Sequence, residues 1–199
     1  AFVIMAVFAP VIAPYEPDVR NIRARFAPPT AAHLLGTDNF GRDTLTRILY
    51  GARVSLRVAL VAVGIAASIG VLLGSIAGYF GGTLDQVIMR VVDVFLAFPP
   101  ILLALLLVAA IGSSVFSVTI ALGLIYWTAY ARVIRSSILA LKEEDFVEAN
   151  RALGADWPRI LFRHVLPNAI GPIIVVASVG MGSAVTAEAA LSFLGMGVQ

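Results

Sequence analysis

Side chains able to do chemistry are scarce in this sequence. It holds two histidines, one lysine and no cysteine, which removes disulfides, thiolate metal sites and cysteine nucleophiles at once. His33 and His164 lie far apart, neither has a second ligand at metal-like spacing, and both are read as non-metal residues. No G-x-x-x-x-G-K-[ST] occurs, and Lys142 follows no glycine-rich loop, so nucleotide cannot be held in the P-loop manner. The expectation is a chain without a catalytic site, metal or cofactor of its own. Arg90 and Asp93, three residues apart, are expected to form an interfacial ion pair. Glu188 ends an apolar stretch. It is either a functional carboxylate at membrane depth or, the favoured reading, a boundary group satisfied by solvent or a backbone N–H.

The elements that must carry these groups are apolar. Hydrophobic residues make up 60% of the 199 and charged residues 13%, against about a quarter charged in soluble domains, so the solvent is a bilayer. The net charge of +2 includes no basic stripe of the kind a nucleic-acid partner needs. A spanning helix needs roughly 20 mostly apolar residues. Val58 to Phe80 meets this test. Its Gly64, Gly70, Gly74 and Gly78, with Ser68 and Ser75, offer small faces for close helix contact. The uncharged stretch Val94 to Ala131 is long enough for two spans turning at Gly112-Ser113-Ser114, with Pro99-Pro100 placed to kink or break the first. Val165 to Ala187 supplies another span, entered from a loop at Pro167-Asn168. Residues 1–13 read as a truncated first span, and a sixth is expected beyond Gln199. The fold class is therefore all-α, a polytopic transmembrane bundle with about five spans visible of six.

Two polar regions separate these spans, Tyr15 to Arg57 and Leu141 to His164, and an odd number of spans puts them on opposite sides. Arginines crowd both, so charge counting does not orient the chain. The first region reads as irregular structure with a helix over Asp43 to Arg57. In the second, Asp145 and Glu148 resemble an acidic capping box, and Gly154 supplies a helix end. Asp156 caps a second helix that tolerates Pro158 in its first turn. Trp157, Ile160, Leu161 and Val165 share one face, with Arg159 and Arg163 elsewhere. The result is a helix-turn-helix outside the membrane whose apolar face docks on something.

Residues Glu148-Ala149-Asn150-Arg151-Ala152-Leu153-Gly154, followed by Phe162-Arg163-His164-Val165-Leu166-Pro167-Asn168, resemble the EAA loop of ABC importer permeases. Asn150 stands where a third-position Ala is usual. Leu35 to Asp43, Tyr50 to Leu56, Asp93 to Pro99 and Glu188 to Gln199 are similar to stretches of the dipeptide, oligopeptide and nickel permeases, most of all the C-type subunit. The resemblance implies a type I importer permease in the bacterial cytoplasmic (inner) membrane. Residues 14–57 would be external, and 58–199 would form the permease core with its cytoplasmic coupling loop at 141–164. It also implies the partners: a second homologous permease, two ATPases holding ATP and Mg, and an extracytoplasmic solute-binding protein. The function implied is half of an alternating-access pathway for short peptides, with nickel chelates or glutathione as alternative cargo. A proton-coupled secondary transporter is the reading of a different class, and it would need buried acids or histidines within spans. Glu148, Ala149, Asn150, Ala152, Leu153, Gly154 and Trp157 would dock the ATPase; Pro99 and Glu188 are candidates for the pathway or external gate. Glu148 can serve as cap and contact together. Trp157 is an interface anchor or simply a boundary aromatic. The Asp38 to Asp43 stretch either touches an external binding protein or caps the structure.

Overall fold

The computed structural model describes residues 2–197. Ala1, Val198 and Gln199, which the sequence reading assigns to the first span and the last motif, lie outside the described residues. Every regular element among them is helical: α1 (Phe2–Ile12), α2 (Thr44–Phe80), α3 (Gly82–Leu96), α4 (Pro100–Ile111), α5 (Val115–Leu141), α6 (Asp145–Ala152), α7 (Trp157–Arg159), a π-helical segment (Ile160–Val165), α8 (Leu166–Asn168) and α9 (Ile170–Phe193). Two compact units divide at residue 57. In the first, an irregular stretch between α1 and α2 holds a single 3-10 turn, Ile22–Ala24.

Among the described residues three helices, α2, α5 and α9, are long and apolar enough to cross a membrane, and α3 and α4 make a fourth crossing if they count together. The roughly five spans expected count these three, the bent pair and the truncated first, α1. α1 is apolar but has 11 residues, about 16 Å of helix against a hydrocarbon core of about 30 Å. The expected third span is broken at Pro99-Pro100, where α3 and α4 meet at 88°. The reason is local. Proline has no N–H to donate and excludes the residue before it from helical geometry, and Pro99 takes an extended ψ of 124°. α2 also differs from expectation. The helix expected over 43–57 and the span at 58–80 are one helix of 37 residues, because neither Gly nor Pro interrupts the arginine-bearing first turns strongly enough to stop it.

The turn at Gly112-Ser113-Ser114 forms as its residues dictate. Gly112 takes φ 107°, and the Ser114 hydroxyl accepts the Ser117 N–H at 3.0 Å to cap α5. α5 is the central element of the second unit. The small face of α2 lies directly on it: a Cβ at Gly74 would collide with the Ile134 side chain and the Ala131 backbone, and one at Gly78 would stand 2.9 Å from the Arg135 carbonyl oxygen. Gly64 faces open space instead. α3 runs antiparallel to α5. Asp85 is paired with Arg135 at 2.5 Å, Asp93 with Arg132 at 2.7 Å, and Phe95 packs edge-on against Trp127 with centroids 5.7 Å apart. Asp93 thus serves an interhelical pair and not the expected contact with Arg90.

The contrast between glycines gives a test. Gly74→Val is expected to lower the thermal unfolding midpoint of the detergent-solubilised chain, since overpacking costs about 1–3 kcal/mol. Gly64→Ala is expected to be neutral or to gain up to about 1 kcal/mol from helix propensity. Equal midpoints for the two variants would mean that α2 does not pack on α5 through this face.

Candidate functional site

The loop after α5 folds as a helix-turn-helix. α6 starts at Asp145, with Glu144 at the N-cap position making no side-chain cap bond; the Val147 N–H bonds the Glu144 carbonyl at 2.9 Å. The expected capping box is therefore not formed. Asp145 and Glu148 stand in the first turn, where negative charge complements the helix dipole. α6 ends as its glycine dictates. Gly154 has φ +79°, its N–H bonds the Arg151 carbonyl, and the Ala155 N–H bonds the Asn150 carbonyl. Asp156 occupies the N-cap of α7 without a side-chain bond, and Pro158 sits in the first turn.

The apolar face does not wait for a partner. Ile160, Leu161 and Val165 are buried with Val147 of α6 against Ile134 and Ile138 of α5, so the expectation of an outward docking face is corrected for these three residues. Both helices of the loop are thereby bonded to the end of α5. No loop leads into the last span either. The chain stays helical through Pro167, passing a π turn in which the Leu166 N–H bonds the carbonyl of Leu161. Proline at 167 offers no N–H and crowds the carbonyl four residues back, and a wider turn relieves that crowding.

With the apolar face consumed, the exposed edge is what remains. Glu148, Ala149, Ala152, Leu153 and Gly154 lie together on the solvent side, Leu153 at 86% exposure. Asn150 is half-buried, and its Nδ2 donates to the Phe146 carbonyl at 2.7 Å within α6. This use explains how the helix accommodates an amide there. Trp157 is half-exposed, its ring 5.1 Å from Phe80 and 6.5 Å from Tyr79 at the end of α2. Of the seven expected docking residues, five share the exposed edge and the other two are partly engaged within the chain.

Pro99 and Glu188 lie on other elements. Pro99 is exposed in the bend between α3 and α4. Glu188 is buried in α9 at 7% exposure beside Val115 and Val118, and its Oε1 accepts the Ser192 hydroxyl at 2.8 Å. Glu188 is therefore buried within α9 and not at an exposed boundary, with the Ser192 hydroxyl among its contacts. Sequence reasoning missed Tyr79, Phe80, Ile134 and Ile138 as supports of the loop, and missed the two ion pairs of α3 with α5. The signal for the latter was Arg132 and Arg135 one turn apart near the end of an apolar helix, where charge is costly unless paired. Among the described residues no three histidine or acidic groups converge on a metal-sized site.

In the first unit the Asp38 to Asp43 stretch is engaged internally. Asp38 Oδ1 accepts the N–H groups of Phe40 and Arg42 at 2.8 and 2.9 Å, and Oδ2 accepts Arg42 Nε at 2.8 Å and Arg47 Nη1 at 2.6 Å. Asp43 accepts the Thr46 N–H at 2.8 Å, and His33 Nδ1 lies 3.0 Å from its other oxygen. Burial acts to raise both carboxyl pKa values. The backbone donors, with Arg42 and Arg47 for Asp38 and His33 for Asp43, outweigh it and hold both below the usual carboxylate range.

Two family models match the sequence. The one described as binding-protein-dependent transport system inner membrane component matches residues 70–199, and the N-terminal TM domain of oligopeptide transport permease C matches residues 1–29. The dipeptide transport system permease protein DppC of Alkalihalophilus pseudofirmus is 45% identical over 199 residues, 100% of this chain and 66% of that protein. The oligopeptide transport system permease protein OppC of Bacillus subtilis is 38% identical over 196 residues, 98% of this chain and 64% of that protein. The probable D,D-dipeptide transport system permease protein DdpC of Escherichia coli is 38% identical over 196 residues, 98% of this chain and 66% of that protein. The chain therefore spans 64–66% of the length of these relatives.

The Asp38 and Asp43 geometry predicts a pH dependence. Folded pKa values below the unfolded ones give stabilisation that is complete above about pH 5 and is lost as pH falls through about 4 towards the folded values. Hydrogen-exchange protection at Phe40, Arg42 and Thr46 should follow that course, and Asp38→Asn should flatten it at Phe40 and Arg42. Protection unchanged down to about pH 2 in the unsubstituted chain would show that these carboxylates do not hold the loop.

Proposed function

The chain belongs to the binding-protein-dependent transport system inner membrane components, in the branch of dipeptide and oligopeptide permeases, and on that premise we propose that it forms half of a peptide import pathway driven by partner ATPases. The observation that carries this reading is the exposed edge of α6. Glu148, Ala149, Ala152, Leu153 and Gly154 point to solvent while the opposite face is buried on α5. A short rigid element fixed to a span on one side and open on the other is what a motor protein needs to grip, because packed elements move as bodies between discrete arrangements.

In this proposal residues 141–164 face the cytoplasm and 14–57 the exterior of a bacterial inner membrane. Two ATPases, which bind ATP and Mg, seat on this loop and on its counterpart in a second, homologous permease. A solute-binding protein delivers short peptides to a cavity between the two permeases, which opens alternately to either side. The names of the relatives support peptides as cargo over nickel chelates or glutathione. A proton-coupled carrier needs a relay of titratable groups within its spans. Among the described residues of the second unit, Glu188 is the one buried carboxylate, which is a single station and not a relay.

The chain has no cysteine, so Ala149→Cys and Ala152→Cys can be read without background. In the assembled transporter each should crosslink to the ATPase and resist membrane-impermeant thiol reagents applied from outside. Labelling from outside, or crosslinking to the binding protein, would refute the cytoplasmic docking assignment. At Gly154 a Cβ would meet nothing within 4 Å, yet its φ is +79°, so Gly154→Ala costs only backbone strain of about 1–2 kcal/mol. That variant should reach the membrane at normal levels and import peptide several-fold more slowly.

A further inference from the structure

The Asp38 to Asp43 stretch of the first unit keeps its acids engaged and turns other groups outward. The side chains of Asp38 and Asp43 are largely buried, and both are taken up by partners within that unit. Exposed instead are Phe40 at 43% and Arg47, whose side chain stands at 45%. Packing of the backbone decides what joins them. Gly41, at φ +72°, lies so close to Asn21 that a Cβ there would stand 1.8 Å from the Asn21 carbonyl oxygen. That contact fastens the preceding residue, Arg20, beside the turn, and its guanidinium carbon lies 5.4 Å from the centroid of the Phe40 ring. The guanidinium carbon of Arg42 lies 4.8 Å from the same centroid.

These contacts form one continuous array: Arg20 on Phe40, Phe40 on Arg42, and both Arg42 and Arg47 on the carboxylate of Asp38. Three guanidinium groups against one carboxylate leave it basic. Arg42 and Arg47 commit donors to Asp38. Arg20 is exposed, makes no ion pair among the described residues, and keeps its fork for an anion. The array is also held in place. Asp38 accepts the N–H groups of Phe40 and Arg42, and its own N–H bonds the Arg42 carbonyl at 3.0 Å, so the turn that presents the ring is closed by its first residue. An arginine already seated on a ring loses less freedom on binding than a free one.

We propose that this array is a docking surface for a protein whose own surface is acidic, with Arg20 pairing a carboxylate of that partner and the Phe40 ring packing beside the pair. Under the proposed function, on which this inference rests, residues 14–57 face the exterior and the partner is the solute-binding protein. A small anion would meet one uncommitted guanidinium in water and gain little. A protein surface meets charge and ring together, and arginine beside an aromatic is the composition that carries binding energy in protein interfaces. Opposite charges at an interface act largely on the rate of encounter and are screened by salt, so the docking is salt-dependent.

The test uses the assembled transporter in nanodiscs of neutral lipid, titrated with its purified, peptide-loaded solute-binding protein at low and at high salt. Affinity for the unsubstituted transporter should fall as salt rises. Arg20→Gln should weaken it several-fold at low salt and flatten the salt dependence, Arg20→Glu should weaken it further, and Arg20→Lys should keep part of it. Phe40→Leu, which removes the ring that seats the guanidinium, should lose affinity at both salts. Arg90→Gln on α3, which removes the same charge elsewhere, should change nothing. Hydrogen-exchange protection at Phe40 and Arg42 equal to that of the unsubstituted chain shows that the turn persists in the Arg20 variants. Unchanged affinity in Arg20→Gln and Arg20→Glu overturns the proposal, as does an equal loss in Arg90→Gln. An effect of Arg20→Gln that appears only in anionic bilayers would give the array to the lipid surface and overturn it too. Failure of the α6 cysteines to reach the ATPase strikes the reading on which the proposal rests; crosslinking at α6 with no effect at Arg20 strikes this surface alone.

Discussion

Burial of Ile160, Leu161 and Val165 against Ile134, Ile138 and Val147 is the contact on which the rest depends. It lies at the junction of three helices, and each buried residue is at most 1% exposed. Remove it and α6 would hang from α5 by the short connection at Lys142 to Glu144 alone. With it, α6 and the second helix of the loop share one core with the end of α5. Under the proposed reading this core lies outside the hydrocarbon, where apolar groups are driven together by water, whereas inside it packing and polar pairing must serve. On that reading both regimes act within a few turns of one helix.

Along α5 the second regime takes over. Its glycine-lined contact with α2 lets backbones approach closely, and its two arginines meet the two aspartates of α3. Ile134 and Ile138 meet both α2 and the loop core, and Arg135 meets both α2 and α3, so α5 is held by all three together. Under the proposed function a push on α6 enters α5 directly and reaches α3 through the Asp85–Arg135 pair. The partly buried Asp85–Arg135 pair, at 2.5 Å with two bonds, is the stiffer of the two; the pair at Asp93 is about half-exposed on both partners and screened accordingly. The stiffer connection is therefore the one nearer the loop.

What could be read from the sequence followed from local rules. Gly154 at the end of α6, Pro158 in a first turn, the Gly112-Ser113-Ser114 turn and the end of α2 at Phe80 all depend on a few neighbouring residues, and all appear where expected. The failures depend on tertiary context. Nothing local says that Asp93 turns from Arg90 to Arg132, thirty-nine residues away, or that the helix before Arg57 continues unbroken into the span. The docking face is the most instructive case. Periodicity correctly grouped Ile160, Leu161 and Val165 on one face, but a pattern cannot say whether a face is buried by a partner or by the same chain. The residues left for a partner are those whose pattern is weakest, two alanines, a glycine, a glutamate and one leucine.

Pro167 shows how the pieces constrain one another. An α-helical register through this residue would drive its ring towards the carbonyl of Arg163, and a loop there would free the second helix from the span that follows. The π turn does neither. It widens the helix by one residue, keeps the chain helical from Trp157 to Asn168, and leaves only Ala169 as a joint before α9. Widening also rotates the residues before Pro167 relative to those after it. That rotation lets Ile160, Leu161 and Val165 face α5 while α9 presents a different side to the same helix. Under the proposed reading the loop is then attached to two spans, to α5 by the short connection at 142–144 and to α9 through Ala169, and to α5 again through its core. A displacement of α6 must move both ends or break packing, and the two-helix element needs no chemistry of its own to do so.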